Sequence, residues 1–259
     1  MSTTVENIIE VLEELVPPNL AESWDNVGLM VGRRNAEVKR VMLALDITEE
    51  VVRQAMEAKC QIIITHHPAI FKGLKHITDD NWQQKLLLTL IENRIAVYSA
   101  HTNLDSVGNG VNNSLVKLLQ LKDAEILDDE SKIGRIGFTE KQELRNFAEF
   151  VKKALKADYA VMASAGKAVH KVAVCGGAGS DFIDIALAKG ADTLVTGDMK
   201  YHEAQRAVFS GLNIIDAGHQ STELPVLEDL ADILSLYFTN RNLDISIKVA
   251  KETLLLKHV

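Results

Sequence analysis

Apolar residues recur along the chain in two alternating patterns, one with helical spacing and one of short continuous runs. Residues 4–15 place valine, isoleucine and leucine on one stripe, which predicts an amphipathic helix that ends before Pro17 and Pro18. Strands are predicted at 41–45, 61–65 and 95–100, and helices at 48–58, 82–92 and 111–119, with Thr48 as a helix N-cap. Strands that alternate with helices predict an α/β fold with a largely parallel sheet.

The second half of the chain repeats the pattern of the first. Residues 172–202 align with residues 41–71 without gaps, so that Val41 matches Val172 and Thr65 matches Thr196, each pair 131 positions apart. We therefore predict two similar α/β halves related by a pseudo-two-fold duplication, with a cleft between them. The alternative is chance similarity, since any two strand–helix–strand units look somewhat alike.

The most polar stretch, residues 121–135, provides the predicted boundary between the halves. The first half is placed at 1–125 and the second at 126–259. A C-terminal helix and strand, from about residue 222, are expected to pack back on the first half.

Composition narrows the class of protein. The 259 residues carry 36 acidic and 28 basic side chains, and the net charge of -8 argues against a nucleic-acid binder. The two cysteines, Cys60 and Cys175, lie in apolar segments and are predicted to be buried, reduced thiols rather than a disulfide. Neither a signal peptide nor a membrane span is recognised, so we expect a cytoplasmic protein with no membrane partner.

Histidines and carboxylates follow the predicted strands at 61–65 and 95–100, and also the strand expected at the start of NIIDAGHQSTE (213–223). In open parallel sheets, ligands bind beyond the carboxyl ends of strands, so these side chains are predicted to converge. Imidazole and carboxylate ligands together suit several divalent metals. Adjacent histidines on an extended backbone point in opposite directions, which favours one ligand for each of two ions. The candidates are His66 and His67, then His101 and Asp105, then His219 and Glu223.

Each candidate also has an ordinary structural interpretation. A lone histidine after a strand is more often a hydrogen-bonded residue than a ligand, and His76, His170 and His258 are assigned to that class. The glycine-rich residues 176–180 are interpreted as a tight turn, with phosphate binding at a helix N-terminus as the alternative. Residues 22–32 are interpreted as a structured loop with Trp24 and Leu29 anchored in the core. Alternatively, Asp25 and Asn26 of that loop orient the metal ligands.

Five motifs in order carry a resemblance that extends over essentially the whole chain. They are SWDNVGLMVG (23–32), ITHHPAIFKG (64–73), YSAHTNLD (98–105), TGDMKYHEAQ (196–205) and DAGHQSTE (216–223). With these motifs the chain resembles the NIF-three-like family of dinuclear-metal-centre proteins, whose members are called GTP cyclohydrolase 1 type 2 homologs. Longer members carry an inserted domain between the halves, for which residues 121–135 leave no room.

The resemblance implies two divalent metal ions per chain, of zinc, iron, manganese or another metal, between two similar halves. His66 and His67 would each bind a different ion, and Asp105 would bind one of them. His219 would bind the ion that Asp105 does not hold, and Glu223 would be shared by both.

Further expectations follow from the family. His101 would lie at the rim as a second-tier ligand or substrate contact, and it forms the predicted catalytic pair with Glu223. His202 and Glu203 are weaker candidates for a direct role. Because paired ions lower the pKa of water, we predict a metal-dependent hydrolase of a small molecule such as a nucleotide. The alternative is a non-catalytic metal-binding or regulatory protein. A homohexamer is also implied.

Overall fold

The computed structural model describes residues 2–257, so His258 lies outside the described residues. The chain forms two compact units. The first contains the described residues up to Leu104 together with Leu227–Thr253, and the second contains Asp105–Val226 and the described residues from Leu254. The division thus falls between Leu104 and Asp105, whereas the sequence places it after residue 125. The C-terminal segment that belongs to the first unit begins at Leu227.

Helices and strands alternate through most of the chain. The helices are α1 (Val5–Leu15), α2 (Glu49–Glu57), α3 (Trp82–Glu92), α4 (Thr102–Ser106), α5 (Val111–Leu118), α6 (Leu144–Ala154), α7 (Ile183–Ala188), α8 (Tyr201–Phe209), α9 (His219–Glu223) and α10 (Pro225–Asn240). The strands are β1 (Gly28–Val31), β2 (Arg40–Ala44), β3 (Ile62–Thr65), β4 (Ala96–Ser99), β5 (Lys122–Ile126), β6 (Arg135–Gln142), β7 (Val161–Ala163), β8 (Val169–Ala178), β9 (Thr193–Gly197), β10 (Asn213–Asp216) and β11 (Ser246–Val249). Short 3-10 helices span Pro18–Leu20 and Ser180–Phe182.

The sheet of the first unit has the order β1-β4-β3-β2-β11. Its strands β4, β3, β2 and β11 are parallel to their neighbours, and β1 pairs antiparallel with β4. The predicted helices and strands between residues 41 and 119 are all present within one or two residues of their predicted bounds. Thr48 caps α2 as predicted, because its side chain accepts a hydrogen bond from the amide of Val51.

The sheet of the second unit is mixed, with the order β5-β6-β8-β9-β10-β7. Strands β8, β9 and β10 are parallel, whereas β5, β6 and β7 pair antiparallel with their neighbours. The strand β8 is buried on both faces, since Val172 and Val174 pack in one apolar cluster and Ala173 packs in another. Burial on both faces explains why such strands appear in the sequence as continuous apolar runs.

The three parallel strands at the centre of each sheet share one register. Val41 pairs with Ile62 in the first sheet, and Val172 pairs with Thr193 in the second. Both partners are displaced by 131 positions, the offset found in the sequence. The third strands also correspond, because Ile62 pairs with Ala96 and Thr193 pairs with Asn213. Each trio therefore has the same connectivity, and an antiparallel strand (β1 or β7) lies beside its last member.

Two strands lie where the sequence indicates loops. The strand β1 falls within the stretch that was interpreted as a structured loop, and β5 falls within the polar stretch 121–135. Four of the five residues of β5 are exposed, since it is an edge strand, and its side chains Lys-Asp-Ala-Glu-Ile give no apolar alternation. Among the described residues, no helix has the length and apolar character needed to cross a membrane.

Candidate metal centre

Three histidines come together in the first unit, just beyond the carboxyl ends of two parallel strands. His66 and His67 follow β3, and His101 follows β4. Their ring centroids are 5.1 to 5.7 Å apart. Each ring offers a nitrogen within 4.8 Å of a nitrogen of the other two. We call these three residues the histidine cluster. The parallel pairing of β3 with β4 brings the three histidines together. It places His66 next to Ala100, which lies 34 residues later in the chain.

The Nδ1 atom of every ring in the cluster faces an oxygen acceptor. His66 Nδ1 donates to the carbonyl of Ala100 at 3.0 Å. His67 Nδ1 lies 2.9 Å from Oδ1 of Asp46, and His101 Nδ1 lies 2.9 Å from Oδ1 of Asp25. A neutral imidazole that donates through Nδ1 carries its lone pair on Nε2, which is the form that binds a metal ion. The acceptors therefore set the tautomer that a metal site requires.

The Asp25 carboxylate is an organising group of the first unit. Its side chain is fully buried, and it accepts hydrogen bonds from the backbone amide of Thr102 at 3.0 Å and from the Thr102 hydroxyl at 2.6 Å as well as from His101. Burial would by itself raise the pKa of Asp25, but the hydrogen bonds from His101 and Thr102 outweigh burial and hold the pKa well below its ordinary range. This geometry agrees with the interpretation that Asp25 orients a residue of the site.

Trp24, the residue before Asp25, does not anchor in the core. Its side chain is 59% exposed, so the prediction of a buried anchor at this position is wrong. The physical reason is that the loop is held by polar contacts instead. Asn26 donates from Nδ2 to the carbonyl of Ile70 at 2.5 Å, and the Asp25 carboxylate holds Thr102.

Asp46, the partner of His67, is positioned by a residue near the end of the chain. The Glu252 carboxylate accepts hydrogen bonds from the backbone amides of Leu45 at 2.6 Å and Asp46 at 3.3 Å. Burial raises the pKa of Glu252, although these amides lower it in part. Sequence reasoning missed both acidic residues, because Glu252 lies 206 residues from Asp46 and no motif connects them.

In the second unit, His219 and Glu223 lie on the same face of α9. Their spacing of four residues brings Nε2 of His219 to 3.2 Å from Oε1 of Glu223. His219 follows the pattern of the first unit, because its Nδ1 lies 2.8 Å from Oδ2 of Asp198. An imidazole and a carboxylate, two potential metal ligands of different chemistry, therefore lie next to each other. The carboxylate of Glu223 is shielded from solvent.

Glycines of the 176–180 segment allow β8 to pack closely against α9. A Cβ atom on Gly177 would lie 2.3 Å from Oε1 of Glu223 and 3.2 Å from Nε2 of His219, and the φ of Gly177 is +63°. The amides in this segment are donated within the protein, from Gly176 to Asn112, from Gly177 to Thr222 and from Gly179 to Thr196. Phosphate binding would need these donors, so the geometry supports the tight-turn interpretation.

Asp105 lies in α4, close to the same part of the second unit. Its backbone carbonyl accepts from Asn112 Nδ2 at 3.1 Å, and Asn112 Oδ1 accepts from the amide of Gly176. Burial and the nearby carboxylates of Asp105 and Glu223 raise the pKa of the Cys175 thiol well above its usual value. Cys175 and Cys60 are both free and buried, as predicted.

The loop that carries Asp198 is held in place by another carboxylate. Asp198 adopts a left-handed backbone conformation, with φ at +53°. Asp216 accepts from the amides of Met199 and Gly218, both at 2.8 Å, and so ties this loop to the start of α9. Asp216 was not recognised as a candidate in the sequence, since it is one of many acidic residues at strand ends.

The remaining candidates lie in ordinary environments. His202 is exposed with its ring near Tyr201, and Glu203 accepts from the amide of Lys200 at the start of α8. His170 Nδ1 bonds the Thr139 carbonyl, and His76 is exposed. Imidazoles with a defined tautomer, together with a buried carboxylate, are suitable ligands for a divalent cation. Both cysteines are buried and are not among the proposed ligands.

These features define an α/β protein with two sheet-containing units whose histidines and carboxylates at strand ends could hold metal ions. The chain belongs to the Duf34/NIF3 (NGG1p interacting factor 3) family, whose profile matches residues 3–253. This finding confirms the resemblance seen in the sequence.

Relatives and solved structures agree with that assignment. The chain is 38% identical over 230 residues to a GTP cyclohydrolase 1 type 2 homolog of Clostridium perfringens, covering 86% of this chain and 88% of that protein. It is 40% identical over 233 residues to the protein of that name from Clostridium acetobutylicum, covering 87% of each chain. The crystal structure of a Bacillus cereus protein related to NIF3 matches with a TM-score of 0.93 and 27% identity over 100% of this chain and 99% of that chain.

Proposed function

We propose that the protein binds two divalent metal ions per chain through His66, His67, Asp105, His219 and Glu223. The observation that carries this proposal is the shared environment of the histidines. Nδ1 of His66, of His67 and of His219 each faces an oxygen acceptor, which favours Nε2 as the metal-binding nitrogen. Membership of the Duf34/NIF3 family supports the same ligand set.

The proposed arrangement of ligands follows from the motifs. His66 and His67 would each hold one ion, Asp105 and His219 would hold different ions, and Glu223 would be shared. We also propose that the two similar halves are related by a pseudo-two-fold duplication, with the metal site in the cleft between them. The register of β2 with β3 recurs in β8 with β9 at an offset of 131 residues, which supports the duplication.

The proposed activity is metal-dependent hydrolysis of a small molecule such as a nucleotide. Divalent ions supply Lewis acidity and lower the pKa of water when bound. Among the residues of the chain, His101 is proposed to move a proton at Nε2, because its Nδ1 is held by the buried Asp25 carboxylate. Glu223 is proposed to act together with His101, and its burial would strengthen its electrostatic effect on a bound substrate.

Elemental analysis of the purified protein tests the metal centre. We expect two divalent ions per wild-type chain and fewer in both His67→Ala and His219→Ala, which remove one ligand from each unit. His170→Ala is the matched control, because the ring of that histidine bonds the backbone carbonyl of Thr139 and is not a proposed ligand, so the stoichiometry should not change. Unchanged stoichiometry in both ligand variants would contradict the proposal.

Turnover separates the hydrolase from its alternative. Protein loaded with manganese, iron or zinc is offered a panel of nucleotides, and His66→Ala and Glu223→Ala are expected to abolish product formation. Tight nucleotide binding without turnover across the panel would instead support a non-catalytic metal-binding or regulatory protein.

The proposed assembly is the one that the family resemblance implies, and the proposed location is the one expected from the sequence. We propose a cytoplasmic homohexamer that binds a small-molecule substrate and no nucleic acid. The exposed apolar side chains Val161, Tyr201 and Phe209 on β7 and α8 support self-association, since large exposed apolar groups often mark interfaces. Sedimentation at the monomer mass would contradict the hexamer.

A further inference from the structure

Two exposed aromatic side chains lie beside the histidine cluster. Trp24 is 59% exposed and Phe71 is 44% exposed. Their ring centroids are 6.1 Å apart, and the ring of His101 is 6.3 Å from Trp24 and 6.5 Å from Phe71. All three residues belong to the first unit. Two neighbouring exposed aromatic side chains need an explanation, because only 5% of the residues in this chain are aromatic and only two are tryptophans.

The two rings are carried by segments that are fixed to each other. The Asp25 carboxylate, next to Trp24, bonds the backbone amide and the hydroxyl of Thr102. Asn26 Nδ2 bonds the carbonyl of Ile70, the residue before Phe71. The backbone at Trp24 is therefore tied both to the loop after β4 and to the segment that carries Phe71. Such preorganisation reduces the entropy that a ligand must overcome when it binds.

We propose that Trp24 and Phe71 form a stacking subsite for the planar heteroaromatic ring of a small-molecule ligand. The inference rests on the proposed function for its location, since it places the ring at the edge of the histidine cluster. Aromatic faces attract other aromatic rings through stacking and exclusion of water. The neighbouring imidazole of His101 and the exposed Lys72 suit a ring with polar edges and an anionic substituent. A purine is a ring of this kind.

Fluorescence of Trp24 tests whether the subsite binds a ring. In a Trp82→Phe background Trp24 is the only tryptophan, so its emission reports on this position alone. Metal-free protein is titrated with guanosine, which has the ring but no phosphate, and with ribose, which has neither. We expect saturable quenching by guanosine and none by ribose. Equal responses to the two probes, or no saturable response to guanosine, would overturn the proposal.

Variants then assign the binding to these residues. Equilibrium dialysis with guanosine should show about 5- to 150-fold weaker binding by Trp24→Leu and Phe71→Leu, the loss expected for one stacking partner. Trp24→Tyr should restore most of the affinity. Trp82→Leu is the matched control, because Trp82 is 68% exposed on α3 and takes no part in the proposed subsite. Equal affinities of Trp24→Leu and Trp82→Leu would overturn the assignment.

Metal content keeps this result separate from the proposed function. Trp24→Leu should hold as much metal as the wild type, since it replaces no ligand. If wild-type protein holds no metal but binds guanosine through Trp24, the proposed metal centre is contradicted and the proposed stacking subsite is supported. If wild-type protein holds two ions and its affinity for guanosine does not depend on Trp24 or Phe71, the metal centre is supported and the stacking subsite is contradicted.

Discussion

A histidine can serve as a metal ligand only when the correct ring nitrogen carries the lone pair. In this protein the partner of Nδ1 decides that question for each candidate ligand. The carbonyl of Ala100 can only accept, so His66 must carry its proton on Nδ1. Asp46 and Asp198 stabilise the same tautomer of His67 and His219 and make each ring a stronger donor to a cation.

Removal of the Asp46 carboxylate should therefore weaken metal binding without removing a ligand. We expect Asp46→Ala to bind divalent metal about 10- to 100-fold more weakly, the usual effect of losing a partner of a ligating histidine. Competition with a chelator of known affinity measures the change. Asp79→Ala is the control, since Asp79 is an exposed carboxylate in the segment before α3 and is not proposed as a partner of any histidine. Equal affinities of the two variants would show that Asp46 does not act through His67.

Asp25 gives the stability of the first unit a defined pH dependence. Its pKa in the folded protein is lower than in the unfolded chain, so its contribution is complete above the ordinary aspartate value of about 4. The contribution is lost as the pH falls toward the lowered folded-state pKa. In urea unfolding of metal-free protein, the free-energy difference between the wild type and Asp25→Asn should shrink as the pH falls below about 4. A difference that is constant with pH would contradict this account.

The sequence identified the histidines and offered Asp25 as a residue that orients them, but it did not identify Asp46. His66 and His67 stand out as an adjacent pair at a strand end. Asp46 precedes His67 by 21 residues and Asp25 precedes His101 by 76, and acidic residues are too frequent in this chain to mark a pair. The parallel pairing of β2 with β3 brings Asp46 next to His67, so tertiary structure was needed to find that acceptor.

At the scale of the element, the close approach of β8 to α9 determines where Glu223 lies. Gly177 permits this approach, because any side chain there would meet the Glu223 carboxylate. We expect Gly177→Ala to displace that carboxylate and to weaken metal binding by at least 10-fold, in addition to a backbone cost of about 1–2 kcal/mol from the positive φ. Calorimetric metal titration and chemical unfolding measure the two effects separately.

Gly166 provides the matched control for that variant. Its φ is +75°, close to the +63° of Gly177, but a Cβ atom at Gly166 would meet nothing within 4 Å. Gly166→Ala should therefore show a similar loss in the free energy of unfolding and an unchanged metal affinity. If both alanine variants bind metal as the wild type does, then the packing of Gly177 does not position Glu223.

Elements with a buried face were predictable, and exposed ones were not. The strand β3 is buried throughout, and its run of isoleucines marks it in the sequence. The strand β5 gains its hydrogen bonds from β6 but leaves most of its side chains in water, so its composition resembles that of a loop. The strand β1 starts at Gly28, and a glycine in the sequence favours a turn. In the structure this glycine has a φ of +105°.

At the scale of the whole molecule, the proposed ligands come from both compact units. His66 and His67 belong to the first unit, and Asp105, His219 and Glu223 belong to the second. If ions are shared as proposed, metal binding must stabilise both units together, because neither unit alone supplies the complete ligand set. A pair of separate sites, one in each unit, would stabilise each unit independently.

Hydrogen exchange distinguishes shared ions from separate ones. Some amide hydrogens exchange only when the protein opens in a way that releases the metal. Metal at about 100 times its dissociation constant should slow their exchange by about 100-fold, near residues 66–67 and also at α9. With shared ions, His67→Ala should reduce the protection at α9 although the substitution lies in the other unit. His170→Ala should keep the full wild-type protection. Loss of protection confined to the neighbourhood of residue 67 would mean that the units bind metal separately, and the dinuclear arrangement would then have to be abandoned.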